Sequence, residues 1–199
     1  MDRPCQNDVT LQTATKANPP KSGPSPSPIF NIHLHAPARS SDPADKHSSL
    51  AELSLSYNGG KDCLVLLILY LAALHAHSIK TSTPLPDRLD SVYIVSPHPF
   101  PEVEDFVQLS IDTYHLNLAR YAKSMRQAFE DYLHDNSHVK AIFVGTRRTD
   151  PHGATLKYFD PTDRGWPAFM RIHPVIDWHY AEVWTVSLLF PAMKNVRLI

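Results

Sequence analysis

Residues 56–63, SYNGGKDC, gather a hydroxyl, two adjacent glycines, a lysine, an aspartate and a thiol. Gly59 and Gly60 carry no Cβ that would hold a polyanion away from the backbone. A helix starting just beyond them would offer first-turn N–H groups without partners at the positive end of its dipole. Lys61 adds a point charge. Asp62 fits poorly in a site for anions alone, and makes sense beside a cation such as Mg²⁺ or as a partner of Lys61. The spacing is neither the dinucleotide-binding GxGxxG nor the Walker GxxxxGK(S/T). A second group, TRRTDPHG over residues 146–153, brings Arg147 and Arg148 close to Asp150. Two guanidinium groups suit bidentate phosphate contact, although either arginine could instead be solvated or paired with acids such as Asp160 and Asp163. In this turn Pro151 sets φ after Asp150, and Gly153 is expected to supply the left-handed residue.

These groups need elements to position them. Leu53 and Leu55 alternate with Ser54 and Ser56, a strand pattern, and Leu64, Leu67, Ile68 and Leu71 follow at the spacing of a buried helix. Residues 91–95, SVYIV, read as a second strand. Residues 140–145, KAIFVG, read as a third, apolar enough to be covered on both faces. Two covering helices are expected, one carrying Val103, Phe106, Val107, Ile111 and Tyr114, the other Ala122, Met125, Phe129 and Leu133. The order strand, helix, strand, helix, helix, strand calls for crossover connections and predicts a three-layer α/β domain with an open, mostly parallel sheet. In such a sheet the ends of the first and third strands share one edge, which links Asp62 with Asp150 and places residues 96–100, SPHPF, nearby.

At 199 residues and 22.4 kDa the chain suits one domain with appendages. Two cysteines, Cys5 and Cys63, make no disulfide framework and fit a reducing compartment. The net charge of −1 leaves no general basic surface, which argues against nucleic acid as a partner. The apolar run over residues 63–74 has the length of a buried helix and not of a membrane span, and the N-terminus lacks a secretory signal. A cytoplasmic monomer is expected, with no membrane partner. Residues 1–47, rich in Pro and Ser with Phe30 the only aromatic, read as a disordered leader, leaving residues 48–199 as the folded part. The pair His33 and His35 is a weak metal signal.

SYNGGKDC resembles the SxGGxDS pyrophosphate loop of the N-type ATP pyrophosphatases, in the form found in the PAPS reductase-like family with its adenine nucleotide alpha hydrolase-like fold. Within that family the likeness is to the eukaryotic FMN adenylyltransferases, the FAD synthases of fungi. VGTRRTDPHG over residues 144–153 is similar to the family's catalytic-aspartate loop, and DRGWPAFMRIHPVIDWHYAEVW over residues 163–184 to its flavin-side segment. The resemblance implies transfer of AMP from ATP to FMN, giving FAD and pyrophosphate, with Mg²⁺ and the two small-molecule substrates. It implies roles for Ser56, Tyr57, Gly59, Gly60, Lys61 and Cys63 around the pyrophosphate half of ATP, with Gly145 and Arg147 beside them. Asn58, Asp62 and Asp150 would lie nearest the reacting groups, the two aspartates as metal ligands. Trp166, Phe169 and Arg171 would lie towards the flavin.

Beyond Trp184 the resemblance stops. The family continues into a segment that closes over the flavin, whereas this chain runs TVSLLFPAMKNVRLI, and a truncated C-terminus is expected. Two other functions therefore stay open. One is a PAPS reductase or sulfurtransferase, which would need a reactive cysteine in the C-terminal part. The other is an ATP-binding homologue that is weak or inactive in catalysis.

Overall fold

In the computed structural model, which describes residues 50–189, a 3-10 turn at Leu50–Glu52 leads into strand β1 (Leu53–Ser56). The expected leader and its His33/His35 pair lie outside the described residues, as do residues 190–199. Leu53 and Leu55 are buried on one face of β1. Ser54, on the other face, is buried as well, and its hydroxyl pairs with that of Tyr132 at 2.6 Å. The Leu–Ser alternation therefore marks two covered faces, one of them carrying a hydroxyl whose hydrogen bond is satisfied inside the protein.

The chain continues through α1 (Lys61–Thr81), β2 (Leu89–Ile94), α2 (Pro101–Tyr114), β3 (Leu116–Tyr121), α3 (Met125–Asp135), β4 (Ala141–Phe143), β5 (Phe159–Pro161), β6 (Met170–Ile172) and α4 (Tyr180–Leu189). All six strands form one sheet in the order β3-β2-β1-β4-β6-β5, parallel except where β5 pairs antiparallel with β6. Residues from α1, α2 and α4 pack with Leu55, Phe143 and Ile172 in one core cluster. On the opposite face Phe129 and Tyr132 of α3 pack with Val92 and Ile142. The expected three-layer, mostly parallel α/β architecture is present, and the first and third predicted strands are direct neighbours, with Leu53 opposite Ala141.

Three parts differ from expectation. Residues 116–121, between the two expected helices, form the edge strand β3. Its half-exposed mixture of Asn117, Leu118, Ala119 and Arg120 hides a strand pattern, and His115, at φ 54°, turns the chain from α2 into β3 without glycine or proline to mark the break. Ala122 consequently lies before α3. The three-residue strands β5 and β6 carry too little pattern to be read from sequence. Finally, α1 is 21 residues long, not about a dozen. By length and composition alone it could cross a membrane. Here its Leu64, Val65, Leu66, Leu67, Tyr70 and Leu74 are buried in the core.

The strand order locates the site. From β1 the chain moves outward to β2 and β3, then returns to β4 on the other side of β1. At such a reversal the loops leaving the two central strands diverge and open a crevice at their carboxyl ends. The loops following β1 and β4 are the two that the sequence singles out.

Candidate active site

The loop after β1 is anchored from below. Tyr57 is buried, and its hydroxyl donates to Ser110 Oγ on α2 at 2.7 Å. Gly59 takes φ 75°, and a Cβ there would stand 2.8 Å from Val107 Cγ2, so both the backbone angle and the approach to α2 require glycine. The Gly60 N–H donates to Asn58 Oδ1 at 2.9 Å, so the exposed Asn58 closes an Asx turn just before the helix. Ser56 is half-buried at the end of β1. Because α1 begins at Lys61, the residues Lys61, Asp62 and Cys63 belong to its first turn, where an acidic residue is favoured by the dipole.

The loop after β4 meets this turn directly. A Cβ on Gly145 would lie 3.4 Å from Cys63 N and Sγ, in van der Waals contact. Arg147, only 9% exposed, is fixed by Asp150 through its own N–H, which donates to Oδ2 at 2.8 Å, and through Nη2, which donates to Oδ1 at 3.0 Å. Its Nε lies 3.2 Å from Asp62 Oδ1. That ion pair is not aligned as a hydrogen bond, so Arg147 Nε and Asp62 Oδ1 are both buried without a hydrogen-bond partner. Lys61 Nζ donates to Asp62 Oδ2 at 2.8 Å. Lys61, Asp62, Arg147 and Asp150 thus form a line of alternating charge. Sequence reasoning did not place Tyr180 here, yet its ring lies under both cations, 5.2 Å from Lys61 Nζ and 5.8 Å from Arg147 Cζ.

The two arginines separate. Arg148 turns away from the line: its Nε donates to Asp177 Oδ1 at 2.5 Å and its Nη1 to the Leu156 carbonyl at 2.9 Å, bracing the loop against the following segment. Arg147 is the one that faces Asp62. The turn also departs from expectation, because its left-handed residue is His152, at φ 64°, and not Gly153. Gly153 is required for another reason: a Cβ there would fall 2.1 Å from the Arg147 carbonyl oxygen.

The residues expected on the flavin side lie around the β5–β6 hairpin. Trp166 is 39% exposed in a tight turn, its N–H donating to the Asp163 carbonyl at 3.1 Å. Phe169 is buried and packs on Phe129 with ring centroids 5.1 Å apart. Arg171 Nη2 donates to the Pro161 carbonyl at 3.0 Å, and Nη1 reaches Asp163 at 3.3 Å. Of these three, Trp166 presents the most free surface, while Phe169 is committed to packing and Arg171 to the hairpin.

Burial raises the Cys63 thiol to about 11, so it stays protonated near neutrality and is no thiolate nucleophile. Among the described residues no group of three or more His, Cys, Asp or Glu side chains could cage a metal. Asp62 and Asp150, one with an oxygen lacking a donor, fit the mode in which Mg²⁺ takes one or two carboxylates and completes its shell with substrate phosphates and water.

The profile of the phosphoadenosine phosphosulfate reductase domain matches residues 52–135 and 122–189. The chain is 40% identical over 136 residues to a protein of Schizosaccharomyces pombe named "Probable FAD synthase", covering 68% of this chain and 51% of that one. To the flavin adenine dinucleotide synthase of Saccharomyces cerevisiae it is 37% identical over 153 residues, covering 69% and 50%. It therefore spans about half the length of these relatives. The crystal structure of Candida glabrata FMN adenylyltransferase in complex with FMN and the ATP analogue AMPCPP superposes with a TM-score of 0.68 at 35% identity, over 81% of this chain and 54% of that one. Yeast FAD synthetase in complex with FAD gives 0.65 at 35% identity, over 80% and 64%. With its phosphate-type loop at the sheet's switch point and a profile match over most of its length, the chain belongs to the phosphoadenosine phosphosulfate reductase domain family.

Proposed function

We propose that this chain provides the nucleotide-binding part of an FMN adenylyltransferase. An oxygen of the FMN phosphate attacks the α-phosphorus of ATP in line. A new P–O bond forms as the bond between the α-phosphorus and the bridging oxygen breaks, releasing FAD and pyrophosphate. FMN brings its own nucleophile, so the protein's task is positioning and charge neutralisation. The observation that carries this reading is the meeting of Lys61, Asp62, Arg147 and Asp150 where the loops after β1 and β4 converge. It is supported by the solved FMN adenylyltransferase of like fold, which binds FMN and an ATP analogue.

Lys61, the Gly59–Gly60 backbone and Arg147 would take the pyrophosphate half of ATP. Asp62 and Asp150 would hold Mg²⁺, which would supply charge neutralisation at the phosphates of ATP as the adenylyl group is transferred. Asn58, whose side chain closes the turn, would set the loop's shape. Trp166 would meet the flavin.

The test is incubation of the purified chain with FMN, ATP and Mg²⁺, following FAD by chromatography, beside calorimetric titrations with ATP and FMN separately. FAD formation supports the proposal. Binding of ATP without FAD formation replaces it with a nucleotide-binding module, and absence of ATP binding overturns both.

A further inference from the structure

We propose that Tyr180 is a positioning residue of the nucleotide site, holding Lys61 and Arg147 together through the face of its ring. The inference rests on the nucleotide-binding reading above and deepens it.

Tyr180 opens α4, and its ring reaches back over the first turn of α1. The centroid lies 5.2 Å from Lys61 Nζ and 5.8 Å from Arg147 Cζ, both within cation–π range. One turn further along α4, Trp184 meets the ring edge-on at 5.7 Å, fixing its orientation. Tyr180 as a whole is nevertheless 55% exposed, so burying apolar surface is not its main service. Its hydroxyl makes no hydrogen bond among the described residues. What remains distinctive is the pair of cations that share it.

Those cations have two kinds of partner. Asp62 and Asp150 hold them by ion pairing, and a carboxylate that positions a cation also cancels its charge. A ring face positions a cation and leaves its charge available, because the attraction comes from the quadrupole. When a polyphosphate arrives, the carboxylates compete with it for Lys61 and Arg147, whereas Tyr180 does not. The ring therefore keeps two like charges within reach of one centroid in the state in which they are useful, on elements that the sequence separates widely.

Three forms of the full chain test this: wild type, Tyr180→Leu and Tyr180→Phe. Each is titrated calorimetrically with pyrophosphate, ATP and AMP, and its thermal midpoint is recorded. Each contact is worth about two- to fivefold, so Tyr180→Leu should weaken pyrophosphate and ATP binding by about five- to thirtyfold. AMP, with fewer phosphate charges, should lose less. Tyr180→Phe should restore what Leu loses, since the ring and not the hydroxyl does the holding. Equal loss for AMP and pyrophosphate would indicate a packing defect and overturn the assignment, as would Leu binding like wild type or Phe failing to rescue. If the wild type binds neither ATP nor pyrophosphate, the nucleotide-binding reading itself fails, and the role of Tyr180 with it.

Discussion

Arg147 and Asp62 touch at 3.2 Å although they leave two different strands, and each keeps a buried polar atom that the contact does not satisfy. An ion pair left incomplete in this way is costly in a closed core and economical where a ligand completes it. The same contact ties the first turn of α1 to the loop after β4, so a change in either loop is felt in both.

On the proposed function, Asp150→Asn should remove most adenylyl transfer, with a loss on the order of a hundredfold or more, because it unsettles Arg147 and replaces a carboxylate proposed to hold Mg²⁺. Asp150 accepts from both the backbone and the side chain of Arg147, so about 1–3 kcal/mol of stability should go too. Paired measurements of FAD formation and urea midpoint check both. A variant that keeps the wild-type rate would make Asp150 a structural turn residue only.

Gly153→Ala should displace the Arg147 carbonyl, since the new Cβ would fall 2.1 Å from it and must move backbone. A cost of about 1–3 kcal/mol is expected, together with weaker ATP binding. Circular dichroism melting and ATP titration give the two readings. Unchanged ATP affinity would show that Arg147 is placed independently of this turn.

Ser54→Ala should destabilise the protein by about 1–3 kcal/mol, because the buried Tyr132 hydroxyl would lose its partner. Adding Tyr132→Phe should recover much of that loss, since both hydrogen-bonding groups are then gone. A double-mutant cycle by chemical denaturation measures the coupling. Simple additivity of the two changes would contradict the bond.

Acidification should weaken the fold through His173. It is buried, with Nδ1 2.9 Å from the Lys157 carbonyl, and burial holds its pKa below the ordinary 6.5. The unfolded chain then takes up the proton first, so this contribution is complete above 6.5 and is lost as pH falls below it. Thermal midpoints recorded from about pH 7.5 down to about pH 5 should decline, and His173→Gln should flatten part of that decline.

The sequence showed the fold wherever a strand was apolar or a glycine had one job. Leu53 and Leu55, with Gly59 and Gly60 behind them, announced the strand, glycine loop and helix, and the parallel-sheet edge brought Asp62 and Asp150 to one place. The edge strand β3 escaped because Asn117 and Arg120 are exposed and His115 makes the left-handed turn with no glycine or proline beside it to mark the break. Arg147 and Arg148 could not be told apart by type, since only the packing of Asp177 beside one of them separates their roles. Tyr180 went unassigned because nothing in a helical aromatic repeat says which ring meets a cation.

Tyr57 and Gly59 both rest on α2, one by a hydrogen bond to Ser110 and the other by close approach to Val107, so the loop after β1 surrenders its conformational entropy when the chain folds. Little of that freedom is left to lose when a polyphosphate arrives. Binding should carry a smaller entropic penalty than it would on a mobile glycine loop. Loosening α2 beneath the loop, for instance with Val107→Ala, should then appear calorimetrically as a more unfavourable binding entropy even though Val107 touches no substrate.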